Sequence, residues 1–172
     1  PFPSHAARVP DDSAGDSGAP LTILDLGCGN LRFERFLAEH TNAPLRITAL
    51  DNCPDLALPQ SAPYLPPFRT ALAAPLLLPK RKEGMLQDKV AVLTLAGVLG
   101  TEEIHLRALD IVESLLDGTF ADRLPRNSCD LAVAFGLMHH LPTGALRARV
   151  LEGLLSSLRP GGFAIVSFWQ FL

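Results

Sequence analysis

Leu21-Thr22-Ile23-Leu24-Asp25-Leu26-Gly27-Cys28-Gly29-Asn30 is the stretch whose reading decides the fold. Its largely apolar first half suits a buried strand, and two glycines separated by a single residue stop that strand. Arg32 to His40 follows with Phe33, Phe36 and Leu37 at helical spacing. Pro44 then punctuates, and Leu45 to Leu50 reads as a second strand ending in Asp51. Strand, glycine turn, helix and strand make one βαβ unit, which implies parallel strands and a right-handed crossover.

Working outward, residues 1–20 are rich in Pro, Ser, Asp, Gly and Ala and read as a flexible leader to a domain over 21–172. After Asp51 the order lapses. Seven of the fifteen prolines fall between Pro54 and Pro79, which predicts a Pro-rich insertion around 54–84, mostly loop. Leu86, Val90, Leu93 and Val98 predict a helix over 86–99. A third strand fits Ile104 to Leu109, closed by Asp110, and a fourth fits Leu131 to Phe135. Gly144 to Leu158 is an amphipathic helix with Leu146, Val150, Leu151, Leu154, Leu155 and Leu158 on one face. Arg159-Pro160-Gly161-Gly162 predicts a tight turn into a fifth strand, Phe163 to Trp169. Strands alternating with helices imply an α/β fold: a doubly wound, mostly parallel sheet with helices on both faces. The fifth strand is apolar and leaves an exposed edge. The expectation is a truncated fragment, or an edge covered by a missing segment, a second copy in a homodimer or another chain.

Composition narrows the class. A chain of 172 residues with 48% hydrophobic and 19% charged residues is one globular domain and not a disordered segment. Its net charge of -3 carries no basic footprint for nucleic acid or an anionic membrane surface. No apolar stretch approaches the roughly 18 residues of a membrane span, and Pro1-Phe2-Pro3-Ser4-His5 lacks the order of a signal peptide. Cys28, Cys53 and Cys129 form no CxxC pair, so neither a disulfide framework nor a metal site is expected, and the default is a reduced, cytoplasmic domain.

Open α/β sheets bind ligands beyond the carboxyl ends of their strands, near the switch in strand order. The residues just after each strand therefore form the candidate rim: Asp25, Gly27, Cys28, Gly29 and Asn30; Asp51 and Asn52; Asp110 and Ile111; and Phe135, Gly136, Leu137, Met138, His139 and His140. Glycines let a ligand approach the backbone, and Asp51, 22 positions after Gly29, lies near the spacing of an acid that accepts from a ribose diol. A dinucleotide and S-adenosylmethionine share this logic. The dinucleotide fingerprint wants a third small residue where this chain has Arg32, which disfavours a nicotinamide oxidoreductase.

Several segments then resemble the Rossmann-like (class I) S-adenosylmethionine-dependent methyltransferases, over roughly residues 21 to 169. Ile23 to Asn30 is similar to the family's first motif, and Thr48-Ala49-Leu50-Asp51 to the acidic end of its second strand. Leu109-Asp110-Ile111 resembles the third-strand aspartate motif. Ala134 to Leu141 and Leu158-Arg159-Pro160-Gly161-Gly162 resemble the fourth-strand loop and the turn before strand five. The resemblance implies S-adenosylmethionine as cofactor and S-adenosylhomocysteine as product. Asp51 would hold the ribose hydroxyls and Asp110 the adenine amino group. Gly27 and Gly29 would cradle the methionine part, with backbone at Phe135 and Gly136 toward its ammonium. The chain departs from the family at Leu31, where a further glycine is frequent, and the expectation is a crowded turn. It departs also in the insertion and in lacking the sixth and seventh strands.

The acceptor expected is a small molecule. The alternative is tRNA, because His139-His140-Leu141-Pro142, the Arg-Pro-Gly-Gly turn and the Trp-ending strand also resemble the wobble-uridine tRNA methyltransferases. A non-catalytic scaffold module is the rival from another class. Plainer roles stand beside the functional ones. Asp110 is suited to cap a following helix, and Cys28 and Cys53 to act as buried spacers. His139 and His140 are candidates for an acceptor-side base rather than metal ligands, since adjacent histidines share poor geometry. Trp169 is expected in the core or an interface.

Overall fold

The computed structural model describes residues 18–53, 56, 90–96 and 101–169. Most of the leader and all of the Pro-rich insertion except Leu56 lie outside the described residues. Strand β1 (Leu21–Leu26) leads through the glycine turn to helix α1 (Arg32–His40) and strand β2 (Leu45–Asp51). Strands β3 (Val90–Ala96) and β4 (Thr101–Ala108) follow, then α2 (Ile111–Asp117) and a 3-10 turn at Phe120–Arg123. Strand β5 (Cys129–Ala134), a second 3-10 turn (Met138–His140), α3 (Gly144–Ser157) and β6 (Leu158–Val166) complete the order.

The six strands form one sheet in the order β3-β4-β2-β1-β5-β6. All neighbours are parallel except β3 and β4, so five parallel strands carry one antiparallel edge strand. Leu21 pairs with Leu45 through to Leu26 with Leu50, and Ile23 pairs with Leu131 on the other side. This is the doubly wound α/β architecture: β1 lies at the centre, and the chain winds outward from it in both directions. No helix among the described residues is long and apolar enough to cross a membrane.

Central parallel strands are buried on both faces, which explains why β1 shows no polar alternation. Ile23, Ile47, Ala49, Ile104 and Leu106 face α1 with Leu31 and Leu45. Leu24, Leu26, Leu50, Ala132 and Ala134 face α2, α3 and the 3-10 turn, meeting Ile111, Leu115, Phe120, Val150 and Leu154. Helices therefore cover both faces. The caps are conventional: Asp110 accepts the Glu113 amide at 2.9 Å to start α2, and Thr143 Oγ1 accepts the Leu146 amide at 3.2 Å to start α3.

Four expectations are corrected. Of the helix expected over 86–99, residues 90–96 form strand β3 instead, and the remainder lies outside the described residues: Val90, Val92 and Thr94 are β-branched at alternate positions, and the run pairs antiparallel with β4. Val90 and Leu93 fit helical spacing equally well, and so short an apolar run is ambiguous by period alone. The buried stripe of α1 is also rotated. Leu31, Glu34 and Ala38 are buried, whereas Phe36 is exposed and stacked on His40 with ring centroids 4.2 Å apart. On α3, Leu155 is exposed and Gly153 takes the buried side. The turn at Arg159–Gly162 is not a separate turn before a strand. Strand β6 pairs at Leu158 with Cys129 and again at Phe163 with Leu131, so the extra residues bulge out within it, and Arg159 forms an ion pair with Asp130.

Candidate functional site

The switch in winding direction falls between β1 and β5, whose carboxyl ends are neighbours. The glycine turn there is built on alternating left-handed residues: Gly27 at φ 76°, Gly29 at φ 53° and Leu31 at φ 58°. Backbone bonds fix it to the next strand. Gly27 N and Cys28 N both donate to Leu50 O, at 2.7 and 3.3 Å, and Leu31 N donates to Cys28 O at 3.0 Å. A Cβ built at Gly27 would lie 3.4 Å from Leu137 Cβ, so the turn touches the loop after β5. At Gly29 nothing among the described residues lies within 4 Å of such an atom, so with respect to them the backbone is open to an approaching group.

Asp51 ties the rim together. Its Oδ2 accepts the Gly29 amide at 2.9 Å and its Oδ1 the Cys53 amide at 2.8 Å, while its own carbonyl accepts from Leu109 N at 2.9 Å. One carboxylate thus joins the ends of β1 and β2, and its backbone reaches the end of β4. A carboxylate offers about four lone-pair sites, so acceptor capacity for a diol remains. Asp110 uses Oδ1 to cap α2, the plainer role weighed for it, and among the described residues Oδ2 is left for another donor. Ile111 is in the core, so it offers the rim only its backbone. Asn30 is half-buried and Asn52 exposed.

On the β5 side, Phe135 stands over α1, edge-on to Phe33 with ring centroids 5.0 Å apart. Gly136 is left-handed at φ 68°, and its amide donates to Ser167 Oγ at 2.8 Å. The His139 and His140 rings are tilted by 41° with centroids 3.9 Å apart, and Trp169 stacks on His139 at 4.8 Å. Trp169 is 61% exposed, so of the two places expected for it, core or interface, it does not take the core. The two histidines therefore sit toward β6, beside Gly136 and Trp169 rather than at the glycine turn. No group of three or more His, Cys, Asp or Glu side chains among the described residues is placed to hold a metal ion.

Leu31 does not crowd the turn. Its side chain is 0% exposed and packs into the α1-facing core, and only its backbone adopts the conformation that a glycine would take there. Cys28 is a buried spacer whose thiol is pushed up by burial, with Glu34, Asp25 and Asp51 adding to it; Cys53 is exposed. Asp25 points to the α1 side of the sheet, is 2% exposed, and is raised well above the usual carboxylate range by burial and then by Glu34. Glu34 is 0% exposed and raised by burial. Glu34 and Ser167 were missing from the sequence reading as site residues. Only Glu34 left a signal: a charge three residues after Leu31 and four before Ala38, on what proves to be the buried stripe.

Scanned against known protein families, the chain matches no family model, and a search of curated proteins finds no match.

Proposed function

We propose that this domain is an S-adenosylmethionine-dependent methyltransferase, cytoplasmic and acting on a small-molecule acceptor. The observation that carries the reading is the convergence on one rim of the open glycine turn, the Asp51 carboxylate, the Asp110 carboxylate and the Gly136 backbone. The residues fit the cofactor. Among the described residues, the space over Gly29 is open to a group against the backbone, and Asp51 and Asp110 both retain acceptor capacity at the ends of adjacent strands. The exposed Arg32 supports S-adenosylmethionine over a dinucleotide, whose fingerprint uses a third small residue there for close helix packing.

Asp51 and Asp110 would hold the ribose and adenine ends, while Gly27, Gly29 and Gly136 would border the methionine part. The cofactor supplies an electrophilic methyl on a sulfonium that is already a good leaving group. Chemistry of that kind asks the protein for alignment and exclusion of water rather than a fixed nucleophile. His139, beside Gly136, would be the candidate to accept a proton from an acceptor that must lose one. The net charge of -3 supports a small acceptor over tRNA.

Calorimetric titration with S-adenosylmethionine, S-adenosylhomocysteine and NAD tests the reading. Binding of the two adenosyl ligands but not NAD, lost in Asp51→Ala, is expected. A folded sample that ignores all three overturns it.

A further inference from the structure

Glu34 and Asp25 present a problem that the cofactor reading does not absorb. Both carboxyls are buried, at 0% and 2% exposure, on the two elements joined by the glycine turn. No donor of good geometry among the described residues reaches Asp25 Oδ1 or either Glu34 oxygen. Yet the two side chains lie within hydrogen-bond reach of one another. Two carboxylates cannot bond to each other, and two bare charges side by side in a core are strongly unfavourable. A carboxyl facing a carboxyl becomes a hydrogen bond only when one of them carries a proton, and that bond is short and charge-assisted.

We infer that Glu34 is a positioning residue: it shares one proton with Asp25 and so clasps the first turn of α1 to the end of β1, across the base of the glycine turn. The surroundings favour one proton and one negative charge. Asp51 faces Asp25 from β2 and Arg35 adjoins Glu34 on α1, opposing each other in sign. Cys28 in the turn stays a neutral thiol because burial and these acids push it up. Strand β3, which packs against α1, has no ionisable residue, and β4 presents Ile104 and Leu106 on this side. The Gln of a Glu34→Gln variant donates permanently to Asp25 and mimics the clasp without a titrating proton. Alanine at the same position removes it.

The direction with pH follows. Both groups hold protons more tightly folded than unfolded, so the stability linked to them is fully present below the unfolded carboxyl range, near pH 4, and falls as pH rises until the shared proton is lost through the raised folded value. The deciding experiment is infrared spectroscopy of the ligand-free full chain at neutral pH, paired with thermal unfolding from about pH 5 to about pH 9. A protonated-carboxyl carbonyl band is expected in wild type and absent in Glu34→Gln. The melting temperature of wild type should fall, relative to that variant, by an amount that grows with pH. No such band, its persistence in the variant, or a pH-independent difference overturns the clasp. Should Glu34→Gln fail to fold, Asp25→Asn replaces the same proton from the other side.

A binding arm rests on the cofactor reading. S-adenosylhomocysteine should bind Glu34→Gln within a few-fold of wild type at neutral pH, and Glu34→Ala at least tenfold more weakly. Equal binding by all three overturns the positioning role. If wild type binds no adenosyl ligand, the cofactor reading fails while the infrared and unfolding arms still decide the clasp.

Discussion

Replacing Leu31 by glycine restores the residue frequent at this position of the resembled family and tests which force governs the turn. The backbone there is left-handed, at φ 58°, a conformation costing a non-glycine residue roughly 1–2 kcal/mol. Against that relief stands the side chain, fully buried among Ile23, Cys28, Leu45, Ile47, Ala49, Ile104 and Leu106. Truncating a buried leucine costs roughly 2–5 kcal/mol, transfer and cavity together. Burial wins: Leu31→Gly should be about 2 kcal/mol less stable than wild type, a melting temperature lower by roughly 4–8 °C for a domain of this size. Leu31→Ala keeps the left-handed strain and loses most of the same contact, so it should fall by about 3 kcal/mol. The glycine variant is then no worse than the alanine variant, whereas at a right-handed helical position glycine is worse by about 1 kcal/mol. Urea unfolding of the three proteins, with equal slopes, is the assay. A glycine variant as stable as wild type would refute the reasoning, because strain would then outweigh the packing.

Other outcomes follow from single contacts. Gly153→Ala gains helix propensity, but its Cβ would lie 2.6 Å from Phe120 Cε1 and 2.8 Å from Leu124 Cδ1 in the core, so a net loss of about 1 kcal/mol is expected in urea unfolding. Thr143→Ala removes the α3 cap and should cost about 1 kcal/mol, while Thr143→Ser should be near neutral. Asp51→Asn leaves a single acceptor oxygen for the Gly29 and Cys53 amides; besides weaker adenosyl-ligand binding, a loss of about 1–3 kcal/mol in stability is expected. A thiol reagent should modify Cys53 readily in the folded protein and reach the buried Cys28 and Cys129 only on denaturation, read as a thiol count.

The sequence reading was strongest where one local rule applied without competition. The strand, glycine turn and helix at Leu21 to His40 and the strand ending at Asp51 appear where the apolar run, the punctuating glycines and Pro44 placed them. Helix α3 begins at Gly144 as its spacing required. The reading was weakest where a short apolar run fits two periods, as at Val90–Ala96, and where a turn signal is absorbed into a strand, as at Arg159–Gly162. Rim membership was legible because residues following parallel strands are gathered at one sheet edge whatever the packing. Occupancy was not: that Asp51 already holds two loop amides and Asp110 a helix cap emerges only from the fold.

By itself the sequence determined that apolar segments alternate with helical ones, that glycines interrupt the chain after β1, and which acids follow the strands. Covalent spacing and local backbone preference suffice for that. Only the tertiary structure decided which side of each element is inside. Helix α1 rolls onto Leu31, Glu34 and Ala38 because the sheet beneath it presents Ile23, Asp25 and Ile47, and a helix buries the stripe that its partner can fill. That choice takes the Leu31 side chain out of the turn and into the core, where the two carboxyls are also buried, contacts set by a packing partner remote in sequence rather than by any local pattern.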